Sequence, residues 1–390
     1  AAKTWNAENI NGENFPSAVW SPAPNNAFIV GDAGMILHYD GSSWSPMTSN
    51  TDEFLIDIQG TSATNAFAVG GGGTILHYDG STWTPMTSNV STMLMGVWAI
   101  SPTDVFAVGD SAILHYNGVS WSIMSTEPLL LTDVWGTSNN VFAVGPASNG
   151  FFGEGNVILH YDGTSWTPMS SGTDQPLWDL WGSAANDVFA IGDQGTILHY
   201  NGASWSTMTS NTMDSLFGIW GFASNNVYVT GGDSLEADSS GRLYHYDGST
   251  WSEVCGHEQT YFLTDIGGSS PYDIFAITNL TALHFSEKRT LSTSTSAGGT
   301  VTTPGIGSFT YTRGASVPLV ATPSACYHFV NWTGTGVTAG KVANASSPTT
   351  TIIMDDNYTV QANFAPPAWS KMTSGTTAQL NSVWGASPTN

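Results

Sequence analysis

The feature that most constrains the fold is a segment of about forty residues that recurs along the chain. Its most constant part, ILHY or a close variant, occurs seven times at spacings of 39, 38, 45, 39, 46 and 39 residues. The histidines of the seven copies are His38, His77, His115, His160, His199, His245 and His284. An apolar segment such as NAFAVG and a shorter one such as VWG precede each copy, and SWSPMTS or a variant follows six of them. Each unit therefore predicts four short strands, which we name inner, second, third and outer.

This period and strand content are typical of a β-propeller, in which four-stranded blades surround an axis. The second and third strands are apolar at consecutive positions, as in residues 105–108 (VFAV) and 197–200 (ILHY), so both faces of each sheet need cover. Six third strands are followed by pairs suited to tight hairpins: Asp40-Gly41, Asp79-Gly80, Asn117-Gly118, Asp162-Gly163, Asn201-Gly202 and Asp247-Gly248. We therefore predict an all-β chain with a seven-bladed β-propeller in residues 1–287.

With blades of the form NAFAVGGGGTILHYDGSTW, the chain resembles the secreted bacterial propellers of the BNR/Asp-box and photosystem-assembly-factor type. The resemblance covers residues 1 to about 287 and implies the fold more than any function. One spacing departs from the Asp-box motif, because Asp40 stands four residues before Trp44 where that motif has five.

The seventh unit is interrupted after its third strand, and residues 289 to about 365 resemble the internalin B-repeat-like bacterial module. The matching positions are Gly298, Gly299, Val301, Tyr311, Gly314, Val317, Leu319, Ala321, Pro323, Tyr327, Phe329, Trp332, Gly334, Met354, Val360, Ala362 and Phe364. The resemblance implies a small β-rich, β-grasp-like module, a spacer or interaction unit of bacterial surface and secreted proteins. We assign residues 288–365 to this module, inserted after the third strand of blade seven.

The charge distribution excludes several classes of partner. The chain has 7 Lys and Arg against 30 Asp and Glu, and no basic residue lies between Lys3 and Arg242. Nucleic-acid surfaces and peripheral membrane surfaces need clustered basic residues, so we predict no nucleic-acid binding and no membrane surface. No apolar run approaches the roughly 18 residues of a membrane span, so we also predict no membrane insertion. The start at Ala1, without Met, is typical of a chain after signal-peptide removal. We expect a secreted, extracellular or cell-surface bacterial protein.

The residues that carry chemistry predict no enzyme. Seven of the nine His belong to the repeat, where one His per blade is typical of a structural hydrogen-bond donor. A sialidase, the usual enzyme on an Asp-box propeller, needs three converging Arg, and here Arg289 and Arg313 lie in the inserted module, which leaves one Arg for the blades. No GxSxG, HExxH or P-loop pattern is present. The loop carboxylates are interpreted mostly as turn and solvating residues, with a glycosidase pair as the weaker alternative.

We predict no cofactor, and the one metal that the loops would suit is Ca²⁺. Its candidate ligands are Asp233, Glu236 and Asp238, in an enlarged loop between the second and third strands of blade six. Carboxylates and backbone carbonyls are the ligands that Ca²⁺ prefers, although no EF-hand or nonapeptide motif is present.

The aromatic residues suggest where a ligand would bind. Of the 16 Trp, only Trp178 lies outside the patterns of the repeat and the module. We place it in the loop between blades four and five, on the loop face, which carries the second-to-third turns and the outer-to-inner connections. Phe151 and Phe152 lie in an enlarged loop of blade four on the same face. These three residues are the candidate site for a glycan or a surface protein, near blades 4 to 6.

The chain has two cysteines, Cys255 and Cys326, at positions where neither family requires one. On the premise that the protein is exported, we predict a disulfide between them. The alternative is a pair of free thiols.

The last 26 residues repeat the first 26 at an offset of 364, so that Trp369 and Trp384 correspond to Trp5 and Trp20. Both segments predict an outer strand followed by an inner strand. The N-terminal outer strand can close the ring against the third strand of blade seven, which leaves residues 366–390 as closing strands, donor strands or the start of a next unit. Either the chain is cut from a longer tandem array, or these strands dock on a neighbouring copy.

These features predict a non-enzymatic extracellular or cell-surface structural or adhesive protein that self-associates through its terminal strands, as one unit of a head-to-tail array or filament. The alternative is a lectin-like propeller that binds a glycan or a protein on the loop face.

Overall fold

The computed structural model describes residues 5–8, 10, 14–24, 26–146, 155–232, 241–254, 263–368, 377 and 379. The chain divides into two compact units, one of residues 1–288 with 312–315 and the other of residues 289–311 with 316–390. Almost all the regular structure is β-strand, so the predicted all-β class is confirmed.

Within its described residues the first unit has seven four-stranded antiparallel sheets, each in the order inner, second, third, outer. The inner strands of sheets 1 to 7 are Pro16–Ala23, Leu55–Ser62, Leu94–Ser101, Asp133–Thr137, Leu177–Ala184, Ser215–Ala223 and Leu263–Ser270. The second strands are Asn26–Gly31, Asn65–Gly70, Asp104–Gly109, Asn140–Pro146, Asp187–Gly192, Asn226–Gly232 and Asp273–Thr278. The third strands are Ile36–Tyr39, Ile75–Tyr78, Ala112–Tyr116, Asn156–Tyr161, Ile197–Tyr200, Gly241–Tyr246 and Ala282–Ser286. The outer strands are Trp44–Pro46, Trp83–Met86, Trp121–Ser125, Trp166–Met169, Trp205–Thr207, Trp251–Glu253 and, for sheet 7, Trp5–Glu8.

The turns between third and outer strands form as the Asx-Gly pairs predict. In sheet 2, Gly80 has φ +95°, which favours glycine. The Asp79 carboxylate accepts hydrogen bonds from the backbone N–H of Thr82 and Ser81, both at 2.8 Å. These bonds, together with one from the Ser81 hydroxyl, lower the pKa of Asp79 to about 2.

The ring is closed by the N-terminal segment. Trp5–Glu8 pairs antiparallel with Ala282–Ser286, and Trp5 lies opposite Phe285. The seven inner strands also pack in sequence, each against the next and the last against the first. Sheet 7 is therefore completed by residues from the opposite end of the propeller sequence, as the strand count predicts.

Adjacent inner strands fit together through Trp and Gly. Four pairs are in contact, Trp98 with Gly136, Trp135 with Gly182, Trp181 with Gly221 and Trp220 with Gly268, and Trp20 and Gly60 occupy the corresponding positions of sheets 1 and 2. A Cβ on Gly182 or Gly221 would lie 2.6 or 2.5 Å from the indole ring of its Trp. The indole N–H groups of Trp98 and Trp220 donate to the carbonyls of their glycines at 2.8 and 2.9 Å. At Gly182 and Gly221, close contact with the indole is therefore possible only because glycine has no side chain.

The two sheets that lack this Trp also lack the facing Gly. Gln59 takes the place of Trp in sheet 2 and faces Ala99, whose N–H it accepts at 3.4 Å. Gly267 occupies the Trp position in sheet 7, and Ser21 occupies the Gly position in the next sheet, which is sheet 1. Where the first inner strand has Trp, the facing residue of the next inner strand is therefore Gly, and where it has a smaller residue, the facing residue has a side chain.

A second layer of contacts between sheets is aromatic. Phe28 of sheet 1 packs edge-on against Tyr78 and Trp83 of sheet 2, with ring centroids 5.4 and 6.1 Å apart. The arrangement recurs from sheet to sheet, and Phe275 of sheet 7 packs in the same way on Tyr39 and Trp44 of sheet 1. Such pairs stabilise by roughly 0.5–1.5 kcal/mol beyond their burial. The outer-strand Trp are therefore core residues.

The second unit combines two small sheets. Lys288–Thr295 lies between Gly307–Thr312 and Tyr358–Ala365 in one sheet, which His328–Thr333 completes on the far side of Tyr358–Ala365. Gly299–Thr303, Ser316–Pro323 and Thr349–Ile353 form the other sheet, and a short helix covers Thr335–Thr338. Strands Lys288–Thr295 and Tyr358–Ala365 run parallel, with Leu291 opposite Tyr358. Trp332 and Leu319 are fully buried in this unit.

The fit between Trp and Gly makes a testable prediction in sheets 2 and 3. Gln59→Trp alone should lower the free energy of unfolding by about 1–3 kcal/mol, because the indole would meet the Ala99 side chain. Adding Ala99→Gly should restore most of that loss, with a coupling of at least about 1 kcal/mol. Urea unfolding of the four chains of this double-mutant cycle measures the coupling. Additive effects of the two substitutions would show that the side chains at positions 59 and 99 do not interact.

Candidate functional site

The axis of the ring is nearly closed by side chains. The residual cavity has a volume of about 60 Å³, which leaves room for only a few waters. Inner-strand Trp, including Trp98 and Trp220, line it together with four aspartates, Asp57, Asp133, Asp179 and Asp265. A substrate of ordinary size does not fit on this axis.

The four aspartates link neighbouring sheets. Each carboxylate Oδ2 accepts a backbone N–H from the inner strand of the next sheet: Asp57 from Val97 at 2.7 Å, Asp133 from Leu180 at 3.1 Å, Asp179 from Ile219 at 2.8 Å and Asp265 from Val19 at 2.8 Å. The last of these bonds joins sheet 7 to sheet 1 across the point of closure. Sequence reasoning missed these residues, although the signal was present as an Asp two residues before the inner Trp position in four of the seven repeats.

Burial raises the pKa of all four carboxyl groups, because they face the narrow cavity and not bulk water. The pKa of Asp57 rises to about 7, although hydrogen bonds from the N–H groups of Val97 and Ile58 oppose the shift. Asp133 and Asp179 also hydrogen-bond each other, which raises the pKa of Asp133 further and partly offsets the rise in the pKa of Asp179. Two carboxyl groups in such contact share a proton and titrate as a pair.

These carboxylates are not arranged as a metal site. Among the residues that the structure describes, no three His, Cys, Asp or Glu side chains are grouped as metal ligands would be. The candidate Ca²⁺ ligands Asp233, Glu236 and Asp238 lie outside the described residues, so the calcium site stays a prediction.

The repeat histidines have the structural role that the sequence predicts. In every sheet Nε2 lies 2.7–3.1 Å from the side-chain oxygen of the Asn or Asp that begins the second strand. Each ring also packs on the Phe or Tyr of that strand, with centroids 4.0–4.7 Å apart. The pairs are His38 with Asn26, His77 with Asn65, His115 with Asp104, His160 with Asn140, His199 with Asp187, His245 with Asn226 and His284 with Asp273.

Trp178 lies in a strand and not in the loop that the sequence analysis assigned. It is the second residue of the inner strand of sheet 5, at a β-bulge between Leu177 and Asp179. The side chain is half-buried, and its indole N–H donates to Asp193 Oδ1 at 2.8 Å. The predicted neighbours Phe151 and Phe152 lie outside the described residues, so the ligand site near blades 4 to 6 stays a prediction.

The disulfide prediction is not supported. Cys326 is exposed and carries a free thiol, and its predicted partner Cys255 lies outside the described residues. Of the four predicted assembly residues, Trp5 lies in the outer strand of sheet 7 and Trp20 is buried in the inner strand of sheet 1. Trp369 and Trp384 lie outside the described residues.

A different part of the loop face presents apolar side chains. Phe15, Phe54 and Met93 directly precede the inner strands of sheets 1, 2 and 3 and are 49%, 37% and 39% exposed. Their carbonyls accept N–H groups from the second-to-third turns at 2.8–3.0 Å, so the backbone holds all three in equivalent positions. An open cavity of about 540 Å³ lies in sheet 1 and its connection to sheet 2; Asn14, Met35 and Asp52 line it among others, whereas Phe15 and Phe54 do not. Sequence reasoning missed this surface because each of the three residues precedes a buried apolar strand and resembles core.

Three solved structures illustrate what the first unit is similar to. The chain aligns with YCF48 bound to the D1 peptide at 15% identity over 73% of this chain and 99% of that chain, with a TM-score of 0.58. It aligns with the WD40 β-propeller domain of Doa1 at 10% identity over 73% and 97%, with a TM-score of 0.60. It aligns with streptogramin B lyase at 11% identity over 73% and 97%, with a TM-score of 0.59. These likenesses show the β-propeller fold.

Residues 289–368 match the family model described as the divergent InlB B-repeat domain. This match confirms the predicted relationship of the inserted module to a bacterial domain. No curated protein matches the chain. In the described part of the chain, no helix is long and apolar enough to cross a membrane.

The shared proton of Asp133 and Asp179 makes a prediction about pH. The unfolded carboxyl groups ionise near pH 4 and the folded pair ionises at higher pH, so the folded state binds more protons between these values and stability falls as pH rises. Asp133→Asn should raise the free energy of unfolding at pH 8 by at least about 1.4 kcal/mol, the value of one pKa unit, with a smaller effect at pH 4. The amide can donate to Asp179 and still accept the N–H of Leu180.

Urea unfolding at pH 4, 6 and 8 measures this effect, with Asp79→Asn as the control. Asp79 is an exposed carboxylate whose pKa is lowered to about 2, so its stabilising effect is present above pH 4 and is lost only as pH falls towards 2. The control should therefore leave the change in stability between pH 4 and 8 unaltered. A lower stability of Asp133→Asn at pH 8 would contradict the prediction.

Proposed function

We propose that the protein is a non-enzymatic structural or adhesive unit of a bacterial surface or extracellular array, in which copies join head to tail. The observation that carries the proposal is the surplus of blade strands. Trp5–Glu8 already completes sheet 7. The predicted outer and inner strands of residues 366–390, which repeat the first 26 residues at an offset of 364, are therefore surplus to the ring. Unpaired blade strands are suited to adding to a neighbouring sheet.

The chemistry of the described residues supports a non-enzymatic role. The repeat histidines are bound to strand-initiating Asn and Asp side chains, and the axial aspartates are bound to backbone N–H groups of adjacent sheets. The axial cavity is too small for a substrate of ordinary size. The match to a bacterial B-repeat domain supports placement at a bacterial surface, where such modules act as spacers or interaction units.

This proposal predicts concentration-dependent self-association. Analytical ultracentrifugation should show species that grow with protein concentration, and negative-stain images should show strings of particles. Replacing both Trp369 and Trp384 with Ala should shift the chain towards monomers without changing its melting temperature, because the seven described sheets each have four strands without these residues. A wild-type chain that stays monomeric at all concentrations would contradict the array.

A second candidate function rests on the exposed apolar residues of the loop face. Phe15, Phe54 and Met93 are exposed at equivalent positions of three successive sheets, and such apolar side chains suit contact with a glycan ring or an extended peptide. A structurally similar propeller, YCF48, has been solved with the D1 peptide bound, so the fold accommodates such a ligand. We propose that the loop face of sheets 1 to 3 binds a glycan or peptide of the surface to which the protein adheres.

Arrays of glycans and of peptides test this binding surface. A ligand found on either array should bind at least about tenfold more weakly to the Phe15→Ser and Phe54→Ser variants, because each substitution removes an apolar contact. Val119→Ser is the control, since Val119 is 86% exposed in a third-to-outer turn on the opposite face. Equal binding by all three variants would exclude this surface.

A further inference from the structure

We propose that the outer-strand position of sheet 7 is an acceptor site for residues 369–372 of a second copy of the chain, which there replace Trp5–Glu8. The inference rests on the proposed array and specifies the surface through which its copies join. The occupant is a named segment of the protein, and the acceptor is the third strand Ala282–Ser286.

The outer strands of the other six sheets share a sequence pattern, and two contacts in the structure explain it. They read Trp, then Ser or Thr, a variable residue, and finally Met or Val. The fourth residues pack against the core between sheets: Met47, Met86, Met124, Met169, Met208 and Val254. In five sheets the hydroxyl of the second residue donates to the carbonyl of the repeat His at 3.3–3.5 Å. The pattern therefore describes the outer-strand residues that pair well with a third strand.

The strand that occupies sheet 7 departs from this pattern after its first residue. It reads Trp-Asn-Ala-Glu, so Glu8 stands where the other sheets have Met or Val. The Glu8 side chain is only 25% exposed, and its Oε1 lies 3.5 Å from Nδ1 of the buried His284. Nε2 of the same ring is already bonded to the fully buried Asp273 at 2.8 Å. Glu8 thus places a partly buried carboxylate where the other sheets pack an apolar side chain, with a desolvation cost that a Met does not have.

The tail segment matches the pattern at every position. Residues 369–372 read Trp-Ser-Lys-Met and correspond to residues 5–8 through the offset of 364. In the register of the resident strand, Ser370 would lie opposite His284 and Met372 opposite Ala282. Ser370 can then donate to the His284 carbonyl, and Met372 places an apolar side chain where the resident strand has the Glu8 carboxylate. The exchange conserves the backbone hydrogen bonds, so the difference between the two strands lies in these side chains.

The length of the connections favours an acceptor in another copy. Leu291 pairs parallel with Tyr358, so Lys288 and Ala365 lie at opposite ends of the parallel pair, about 30 Å apart. The three residues from Phe285 to Lys288, the four from Ala365 to Trp369 and the pairing distance together span at most about 30 Å. Pairing within one copy would therefore need both connections to be fully extended. An acceptor in another copy makes no such demand.

Photocrosslinking between labelled copies tests the site. A full-length chain with Lys371→p-benzoylphenylalanine is mixed with ¹⁵N-labelled wild-type chain at a concentration where the protein associates, and is then irradiated. Mass spectrometry should find position 371 of the unlabelled copy joined to the labelled peptide that contains Ala282–Ser286. Two results would overturn the inference and leave the array proposal standing. One is that position 371 crosslinks to the third strand Ala282–Ser286 of its own copy, and the other is that it crosslinks only to labelled peptides that do not contain this strand.

Two substitutions distinguish strand exchange from association through another surface. Trp369→Ala should weaken association about 30-fold, the effect of losing a buried aromatic anchor. Glu8→Met should also weaken association, although it leaves the tail intact, because it brings the resident strand closer to the pattern of the other sheets. Glu127→Met, at an exposed loop carboxylate, is the matched control and should have no effect. Unchanged or stronger association of Glu8→Met would contradict the exchange, whereas a monomeric wild type would contradict the array itself.

Discussion

The structure depends on contact between each sheet and the next, because no sheet of the propeller has a face that can stay exposed. The apolar second and third strands, such as Asp104–Gly109 and Ala112–Tyr116, are buried on both sides only while neighbours remain on both sides. The ring must therefore close, and its closure uses three kinds of contact: indole on glycine, aromatic edge on aromatic face, and carboxylate on the backbone N–H of the next sheet. At the junction of sheets 7 and 1 these contacts reappear as Asp265 bound to Val19 and Phe275 packed on Tyr39.

The scarcity of charge follows from this architecture. Of the 390 residues, 9% are charged, and the few carboxylates on inner strands are placed where a backbone N–H of the adjacent sheet can bind them. That solution has a cost, since burial raises the pKa of these carboxyl groups, and Asp133 and Asp179 must share a proton. The remaining Asp residues lie mostly in turns such as that of Asp79, where hydrogen bonds hold the carboxylate ionised and exposed.

Much of the fold could be predicted from the sequence, because its signals are local and repeated. The strand pattern, the Asx-Gly turns and the structural role of the repeat His all depend on residues close in sequence. The axial aspartates escaped prediction, because the partner of Asp57 is Val97, forty residues away, and only the ring brings the two together. Trp178 was misplaced because the inner strand was predicted from the short apolar segment around Trp181, whereas the strand begins at Leu177, before a bulge that lies at Trp178. Phe15, Phe54 and Met93 were not predicted to be exposed, because each directly precedes a buried apolar strand and only the folded ring shows that its side chain lies at the surface.

We propose that sheet 7 is where the ring both closes and joins other copies. Six outer strands conform to one pattern, and the seventh position holds a strand whose Glu8 lies beside a buried imidazole already bound to Asp273. Residues 369–372, which match the pattern, follow the end of a parallel strand pair, so that pairing with the acceptor of the same chain would need fully extended connections. Strand exchange would therefore keep the ring closed and give sheet 7 an outer strand that matches the other six.

The most direct measurement is a cryo-electron microscopy map of the associated protein that resolves side chains over the third strand Ala282–Ser286. Strand exchange predicts that the strand beside Ala282–Ser286 reads Trp-Ser-Lys-Met, is connected to the module of a neighbouring copy, and places Met372 near His284. A strand that reads Trp-Asn-Ala-Glu in every copy, with the particles joined through another surface, would contradict it.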